Sequence, residues 1–328
     1  MNTLHNTFHL KVYVTGANGF IGREVIRLLS AHYIIALVRE HSNTHTVSIH
    51  ANEVIKGDLT KDDEALDAIR RSDAVIHLAA KVRFHPYSLL RGVIVDATDS
   101  IAVQCLKNNV RLVYASSIAV YGDANSSVID EYHTCRPDTG YGKAKLDAED
   151  IIRKYIREGL DAVILRPGYV YGYGDAITRM LRSGRIIWLG DATNYIGVIH
   201  VHDCARAFIH FLSTTTDNMR IYNVVDEEPV RWIEYLNYLS SLASTPKPIL
   251  LPYTPIKSLA YLSYYLSRIF SRVSDLSPDL IRAIRYSAKY SNTRLKSTGF
   301  IYRYPSYRDG LKEVIEQFHS SNDGNQTI

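Results

Sequence analysis

Tyr141 and Lys145 stand four residues apart at the head of a run, Tyr141 to Gly159, whose apolar residues recur every three or four positions. On a helix that spacing puts both side chains on one face, where a phenol and a cation can serve one substrate oxygen. At about 4 Å and an effective dielectric of about 20, the cation favours the phenolate by roughly 4 kcal/mol, or about three pKa units. A phenol that ordinarily titrates near 10 is then expected to work as a proton donor and acceptor close to neutrality. The spacing by itself is weak, because 24 tyrosines and 13 lysines in 328 residues give about one such pair by chance. Tyr253 and Lys257 are that decoy: Pro255 between them is expected to spoil a helix, and no serine-bearing strand precedes them. Before Tyr141, by contrast, comes the β-like run Leu112 to Gly122, which carries Ser116 and Ser117.

A second group could hold an anion. Val12 to Gly22 reads as a strand that runs into a glycine-punctuated turn and then a helix. Gly16, Gly19 and Gly22 let the backbone turn tightly, approach a pyrophosphate and pack the helix on the sheet, with Asn18, Phe20 and Ile21 between them. The free N–H groups of that helix start would face the phosphates. Glycine triplets also occur in ordinary turns, so the flanking strand and helix carry the argument.

These groups need a scaffold, and the alternation of elements supplies one. The β-branched runs KVYVTG, IIALVR, EVIKGD, AVIHLAA, RLVYASS and AVILRP alternate with helical patterns at Ile21 to Ala31, Asp62 to Arg71, Val93 to Asn108 and Tyr141 to Gly159. That rhythm implies an α/β fold, a doubly wound parallel sheet with right-handed crossovers. Residues 1–167 with about 196–228 are expected to form the dinucleotide-binding domain, and about 168–195 with 229–318 a smaller, mainly helical substrate domain. The polar residues 319–328 read as a frayed tail.

Composition excludes other classes. The 38 basic and 34 acidic residues leave +4 without a basic stripe, which argues against a nucleic-acid partner. Cys105, Cys135 and Cys204 lack metal or disulfide spacing, so no metal is expected. With no secretory pattern at the start and no uninterrupted apolar span, the expected location is the cytoplasm. The most apolar late segment, Ile249 to Val273, is broken by Pro252, Pro255, Lys257 and Arg268 and reads as a surface or interface helix.

Thr15 to Gly22, TGANGFIG, resembles the fingerprint of the extended short-chain dehydrogenase/reductase family, the NAD-dependent epimerase/dehydratase group. The resemblance implies a Rossmann-type fold and an NAD(P)-dependent oxidoreductase or epimerase. It assigns Asp58 and Leu59 to the adenine, and Leu78, Ala79 and Ala80 with the adjoining Lys81 to the strand end beneath the cofactor. Pro167 and Gly168 would lie beside the nicotinamide. Counting back from Val120-Tyr121-Gly122, the family's serine matches Ser117, which would hydrogen-bond the substrate oxygen while Tyr141 transfers the proton and Lys145 holds the ribose. Arg39 at the end of the second strand would pair with a 2′-phosphate, which tilts the cofactor toward NADP; the alternative is that Glu40 takes the ribose of NAD. Where relatives commonly carry Asn and then Gly-Thr, this chain has Asp96 nearby, either a change in proton traffic or a helix-face carboxylate.

For the small-molecule substrate, the resemblance implicates the loop from Tyr169 to Asp175 and a helix bearing Arg179, Arg182 and Arg185, which could meet a pyrophosphate or be a solvated face. Asn194 and Tyr195 would edge the same pocket. Strand alternation places His200 and His202 on one face and Asp203 on the other, which favours structural roles over a metal site. Leu259, Leu262, Leu266 and Ile269 form a helical stripe flanked by tyrosines, suited to a peripheral membrane contact, a homodimer seam or a buried helix. The resemblance implies epimerisation or 4-keto reduction of a nucleotide-activated or lipid-linked sugar. A hydroxysteroid or aldehyde dehydrogenase-reductase and a non-catalytic NAD(P)-responsive binding protein are the alternatives.

Overall fold

The computed structural model describes residues 10–60, 63–80, 85–124, 128–269 and 277–323; Lys81 lies outside them. Its centre is a seven-stranded parallel sheet of β1 (Lys11–Thr15), β2 (Tyr33–Val38), β3 (Glu53–Lys56), β4 (Ala74–His77), β5 (Arg111–Ala115), β6 (Ala162–Pro167) and β11 (Ile221–Val224). The spatial order is β11-β6-β5-β4-β1-β2-β3, so the chain reverses direction beside β1, where such sheets open a crevice at their carboxyl ends. Three two-stranded ribbons pair β7 (Tyr169–Tyr171) with β10 (Val198–His200), β8 (Ile187–Leu189) with β13 (Ile249–Leu251), and β9 (Tyr195–Ile196) with β12 (Val230–Arg231).

The two-residue period of each strand divides the core. Tyr13, Leu112 and Tyr114 join one cluster, beneath helices Asp63–Arg70, Ala97–Asn108 and Gly140–Arg157. Val12, Val14, Val113 and Ala115 join the other, beneath helices Phe20–Leu28 and Val201–His210. Phe208 and Phe211 of that second layer are fully buried, each contributing roughly 2–3 kcal/mol of transfer free energy. A third core gathers Tyr171, Trp232, Tyr235, Leu239, Leu311 and Val314, and it holds the late helices Trp232–Leu242 and Tyr307–Asp323 together.

Several boundaries differ from the sequence expectation. Helical backbone begins at Tyr87 rather than Val93 and passes through a π turn at Gly92–Asp96 before continuing to Asn108. Pro255 does not spoil its helix, which runs Tyr253–Ile269: a proline in the first turn forfeits an N–H that has no intrahelical acceptor. The last helix extends to Asp323, into the segment expected to fray, and Leu311, Val314, Ile315 and Phe318 anchor it. After Asn292 comes a short helix, Thr293–Ser297, and Leu295 and Phe300 pack on the sheet's second layer.

Candidate active site

The serine, tyrosine and lysine meet because β5 ends where helix Gly140–Arg157 begins to cross it. Thr139 caps that helix by accepting from the Gly142 N–H at 3.2 Å, which fixes the entry angle of Tyr141. The buried stripe of the helix contains Tyr141, Lys145, Ala148, Glu149 and Ile152, the periodicity that packs it on the sheet. Ser117 follows β5 in extended backbone and caps the short 3-10 turn Ile118–Tyr121, its Oγ accepting from the Ala119 N–H at 3.2 Å. Ser117 also stands beside the Tyr141 phenol and favours its charged form.

Lys145 is 2% exposed, and its Nζ donates to the Ala115 carbonyl at 2.5 Å and to the Tyr114 hydroxyl at 3.3 Å. Burial lowers its pKa to about 7, with the Glu149 charge pulling the other way. Burial pushes Tyr141 up to about 12, and the neighbouring Ser117 opposes that rise. The expectation of a phenol tuned toward neutrality by Lys145 is therefore not met in this arrangement. The ammonium is directed at a β5 carbonyl, and loss of water acts on both groups against their charged forms.

Two buried networks hold these residues. In the first, His77 Nδ1 meets the Thr15 hydroxyl at 2.7 Å and Nε2 meets the Thr98 hydroxyl at 3.1 Å. Thr98 stands beside Tyr114, whose hydroxyl accepts from Lys145, so the buried polar groups run from the glycine turn to Lys145. Burial, reinforced by Lys145, lowers the His77 pKa to about 3, so the ring is neutral. In the second, Arg166 grips Glu149 with Nε at 2.9 Å and Nη2 at 2.7 Å, while Ser116 donates to Glu149 and Arg166 also reaches the Tyr121 hydroxyl at 2.8 Å. Burial works against the Arg166 charge, but the bonds to Glu149 outweigh it and raise the guanidinium further. Sequence reasoning missed Thr98, Tyr114 and Glu149. The signals were there: Tyr114 alternates onto the helix-facing side of β5, and Glu149 lies four residues after Lys145.

The turn after β1 fits an anion. Gly16 has φ +72°, and a Cβ there would press on the backbone of Leu78 and Ala79. Gly22 packs its helix so closely that a Cβ would strike the Gly16 carbonyl. Helix Phe20–Leu28 starts at Gly19 with no side-chain cap, which leaves its first-turn N–H groups for a ligand. Asn18 bridges the turn to its surroundings, donating to the Asn43 carbonyl at 3.0 Å and accepting from Arg23 at 3.0 Å. Leu78 and Ala79 follow β4 beside β1, with the Ala79 N–H on the Thr15 hydroxyl at 3.3 Å, and Ala80 packs against the first core. Asp58 and Leu59 follow β3, where Asp58 accepts from the Thr60 N–H at 3.0 Å and Leu59 is buried. Arg39 is exposed just past β2, with Glu40 exposed next to it. Pro167 ends β6, and the Gly168 N–H bonds the Val224 carbonyl at 3.0 Å.

The residues expected to meet the substrate are arranged differently from one another. Tyr169 stands edge-on to Trp232 at 5.3 Å beside Asp175 and Arg179, and burial raises its phenol well above the ordinary value. Arg179 donates to the Gly174 carbonyl at 2.8 Å. The helix that carries it ends at Leu181, so Arg182 and Arg185 are not on a common helical face with it, and Arg182 turns back to the Tyr173 hydroxyl at 2.9 Å. Asn194 spends its amide donors on the carbonyls of Ile284 and Tyr286, at 3.0 and 2.7 Å, as a fastener between segments. Asp96 is more than half exposed and pairs with Arg91 at 3.4 Å, which makes it a helix-face carboxylate. His200 ends its strand, whereas His202 and Asp203 belong to the following helix, so strand alternation does not apply to them. Asp203 receives the backbone N–H groups of Arg303 and Tyr304, and His202 pairs with Glu24 at 2.7 Å. A cleft of about 570 Å³ lined by Glu131, Arg153, Arg157 and Arg166 includes none of Ser117, Tyr141 and Lys145, so volume alone does not mark the site.

Against known proteins, the model of the NAD dependent epimerase/dehydratase family matches residues 12–224. The N-acetyl-alpha-D-glucosaminyl-diphospho-ditrans,octacis-undecaprenol 4-epimerase of Escherichia coli O157:H7 is 26% identical over 95% of this chain and 97% of its own length. The 2-alkyl-3-oxoalkanoate reductase of Stenotrophomonas maltophilia (strain K279a) is 27% identical over 73% of this chain and 77% of its own. Among solved structures, MoeE5 in complex with UDP-glucuronic acid and NAD superposes with a TM-score of 0.74 at 26% identity, covering 95% of this chain and 99% of that one.

Proposed function

The chain belongs to the NAD dependent epimerase/dehydratase family, and from that premise we propose that it is an NAD(P)-dependent epimerase or 4-keto reductase acting on a nucleotide-activated or lipid-linked sugar. The observation that carries the reading is the placing of Ser117 beside the buried Tyr141 phenol, with Lys145 one turn along the same buried helix face. The uncapped helix start after Gly19 and the backbone approach at Gly16 fit a dinucleotide's pyrophosphate. When bound, the nicotinamide supplies the hydride acceptor or donor.

The side chains then divide the remaining work. Ser117 Oγ holds the substrate oxygen, and the neutral Tyr141 phenol gives that oxygen a proton as a carbonyl is reduced. In the reverse direction Tyr141 takes the proton. Lys145, poised near pH 7, sits one turn away to steady the negative form of the phenol once its Nζ leaves the Ala115 carbonyl. Tyr169 and Arg179 are the residues we assign to the substrate's outer part, with Arg182 at the rim; Asn194 orients the segments around it.

For the cofactor, the exposed Arg39 at the end of β2 suits a 2′-phosphate and favours NADP over NAD. Competitive binding of the two cofactors to wild type and Arg39→Ala measures this, and at least tenfold tighter NAD binding by wild type would reverse it. A second reading, reduction of an apolar ketone, draws on the similarity to the alkyl-oxoalkanoate reductase.

A panel of nucleotide sugars, analysed by NMR of the products together with nicotinamide absorbance, separates these readings. Epimerisation predicts a new epimer with no net absorbance change and cofactor retained through purification. Reduction predicts consumption of added reduced cofactor. If neither a nucleotide sugar nor a lipid-linked diphosphosugar turns over while an alkyl ketone does, the sugar reading is wrong.

A further inference from the structure

Helix Tyr253–Ile269 turns an unusual face outward. Its inward side is built on Ala260, fully buried, and on Tyr253, over which the Arg285 guanidinium sits at 4.9 Å. The two leucines at the start of its apolar stripe look the other way: Leu259 is 54% exposed and Leu262 55%, with Tyr261 beside them; the side chains of Leu266 and Ile269 lie outside the described residues. The β8/β13 ribbon that leads into this helix adds Ile187, Ile249 and Leu250, all exposed, with Ile187 and Ile249 paired across the ribbon. Leaving a leucine in water forgoes roughly 1.5–3 kcal/mol, and such residues gathered in one region usually mark a contact surface.

The charges say which contact. From Tyr235 to Ser274 there is no Asp or Glu in forty residues, where the chain's average of 34 in 328 would place about four. The same stretch carries Lys247, Lys257, Arg268 and Arg272. A second copy laid symmetrically on this face would set like charges against like, which costs rather than gains. Lys247 and Lys257 are exposed, and an anionic surface gains about 1 kcal/mol from each basic residue close to it. Tyrosines with an apolar body and a polar tip suit the boundary between headgroups and acyl chains. No described helix is long and apolar enough to cross a membrane, so the geometry is that of a helix lying in the surface.

We propose that helix Tyr253–Ile269 and the exposed side of the β8/β13 ribbon form a docking surface for an anionic lipid bilayer. The ribbon is continuous with the aromatic wall of the candidate site: Trp188 of β8 lies 4.3 Å from Trp232, which meets Tyr169. Docking there holds the substrate side of the site close to the lipid. The inference stands whichever sugar carrier is the substrate.

Co-sedimentation of the full chain with phosphatidylcholine vesicles, with and without phosphatidylglycerol, tests it. The expected result is binding at least about tenfold stronger to the phosphatidylglycerol vesicles, weakened by salt. Leu259→Glu with Leu262→Glu should lower that binding about tenfold or more, and Lys257→Glu should lower it less, with NADPH binding and thermal unfolding unchanged in both. Wild type that ignores the anionic vesicles, or binds them no better than the double variant, overturns the proposal. So does a wild-type dimer that the double variant splits without losing vesicle binding, because a second copy then covers the face.

Discussion

The two sides of the sheet's carboxyl edge are built on opposite plans. Around β4, β5 and helix Gly140–Arg157, polar side chains are sealed from water and linked in continuous sets: Thr15 to His77 to Thr98, and Ser116 to Glu149 to Arg166. Around β7 and β9, the residues expected to meet substrate are held singly: Arg179 is exposed and bonds the Gly174 carbonyl, Arg182 bonds the Tyr173 hydroxyl, and Asn194 bonds the Ile284 carbonyl. The first plan keeps a few atoms in fixed positions, as the proposed proton transfer would need. The second leaves Arg179 and Arg182 with local partners that a ligand could replace, as discrimination among substrates would require.

Changes on the first side should be severe. Lys145→Met is expected to cut turnover at least a hundredfold and to weaken cofactor binding as well, measured by steady-state rates and fluorescence titration. A loss confined to turnover would detach the lysine from the ribose. Arg166→Met leaves Glu149 buried with only part of its support and should cost about 3–5 kcal/mol in urea unfolding. An effect below about 1 kcal/mol would mean that the network is incidental.

His77 gives the comparison a pH signature. Its folded pKa is depressed to about 3 from 6.5, so below 6.5 the unfolded chain binds a proton that the folded chain does not. Stability should therefore fall as pH drops through that window, by up to about 1.4 kcal/mol per pH unit from this residue. Denaturant melts of wild type and His77→Gln at several pH values should show a shallower acid slope in the variant. Lys145, depressed to about 7 from 10.5, acts at the other end: its share of stability grows as pH rises from 7 toward 10.5. The smallest effect belongs to the second side. Arg182→Ala should raise KM about two- to tenfold with kcat nearly unchanged, whereas Asn194→Ala should lower stability by about 1–2 kcal/mol. Equal loss of kcat in both would erase the distinction between rim and fastener.

The same contrast explains what the sequence made legible. The strands of the sheet were readable because β-branched runs such as Tyr33–Val38 are long enough to set a pattern, and the glycine turn because its glycines and helix start lie within eight consecutive residues. The trio was readable because Tyr141 and Lys145 share a helix face and Ser117 closes the preceding strand. Their titration was not, since it depends on Ala115 and Tyr114 supplying a partner to Lys145 across the core. Nor was the π turn at Gly92–Asp96, which precedes the hydrogen bond from Thr98 back to the Ile94 carbonyl and reflects packing against other elements. Spacing alone puts the arginines after Asp175 on one helix, because it cannot show that the helix stops at Leu181.

Turnover of Tyr141→Phe beside wild type, with cofactor affinity measured on the same samples, bears most directly on the chemistry assigned here. A drop of at least about a hundredfold in kcat with cofactor binding intact is the expected result. Near-normal turnover in that variant would contradict proton transfer by the Tyr141 hydroxyl and the assignment built on it.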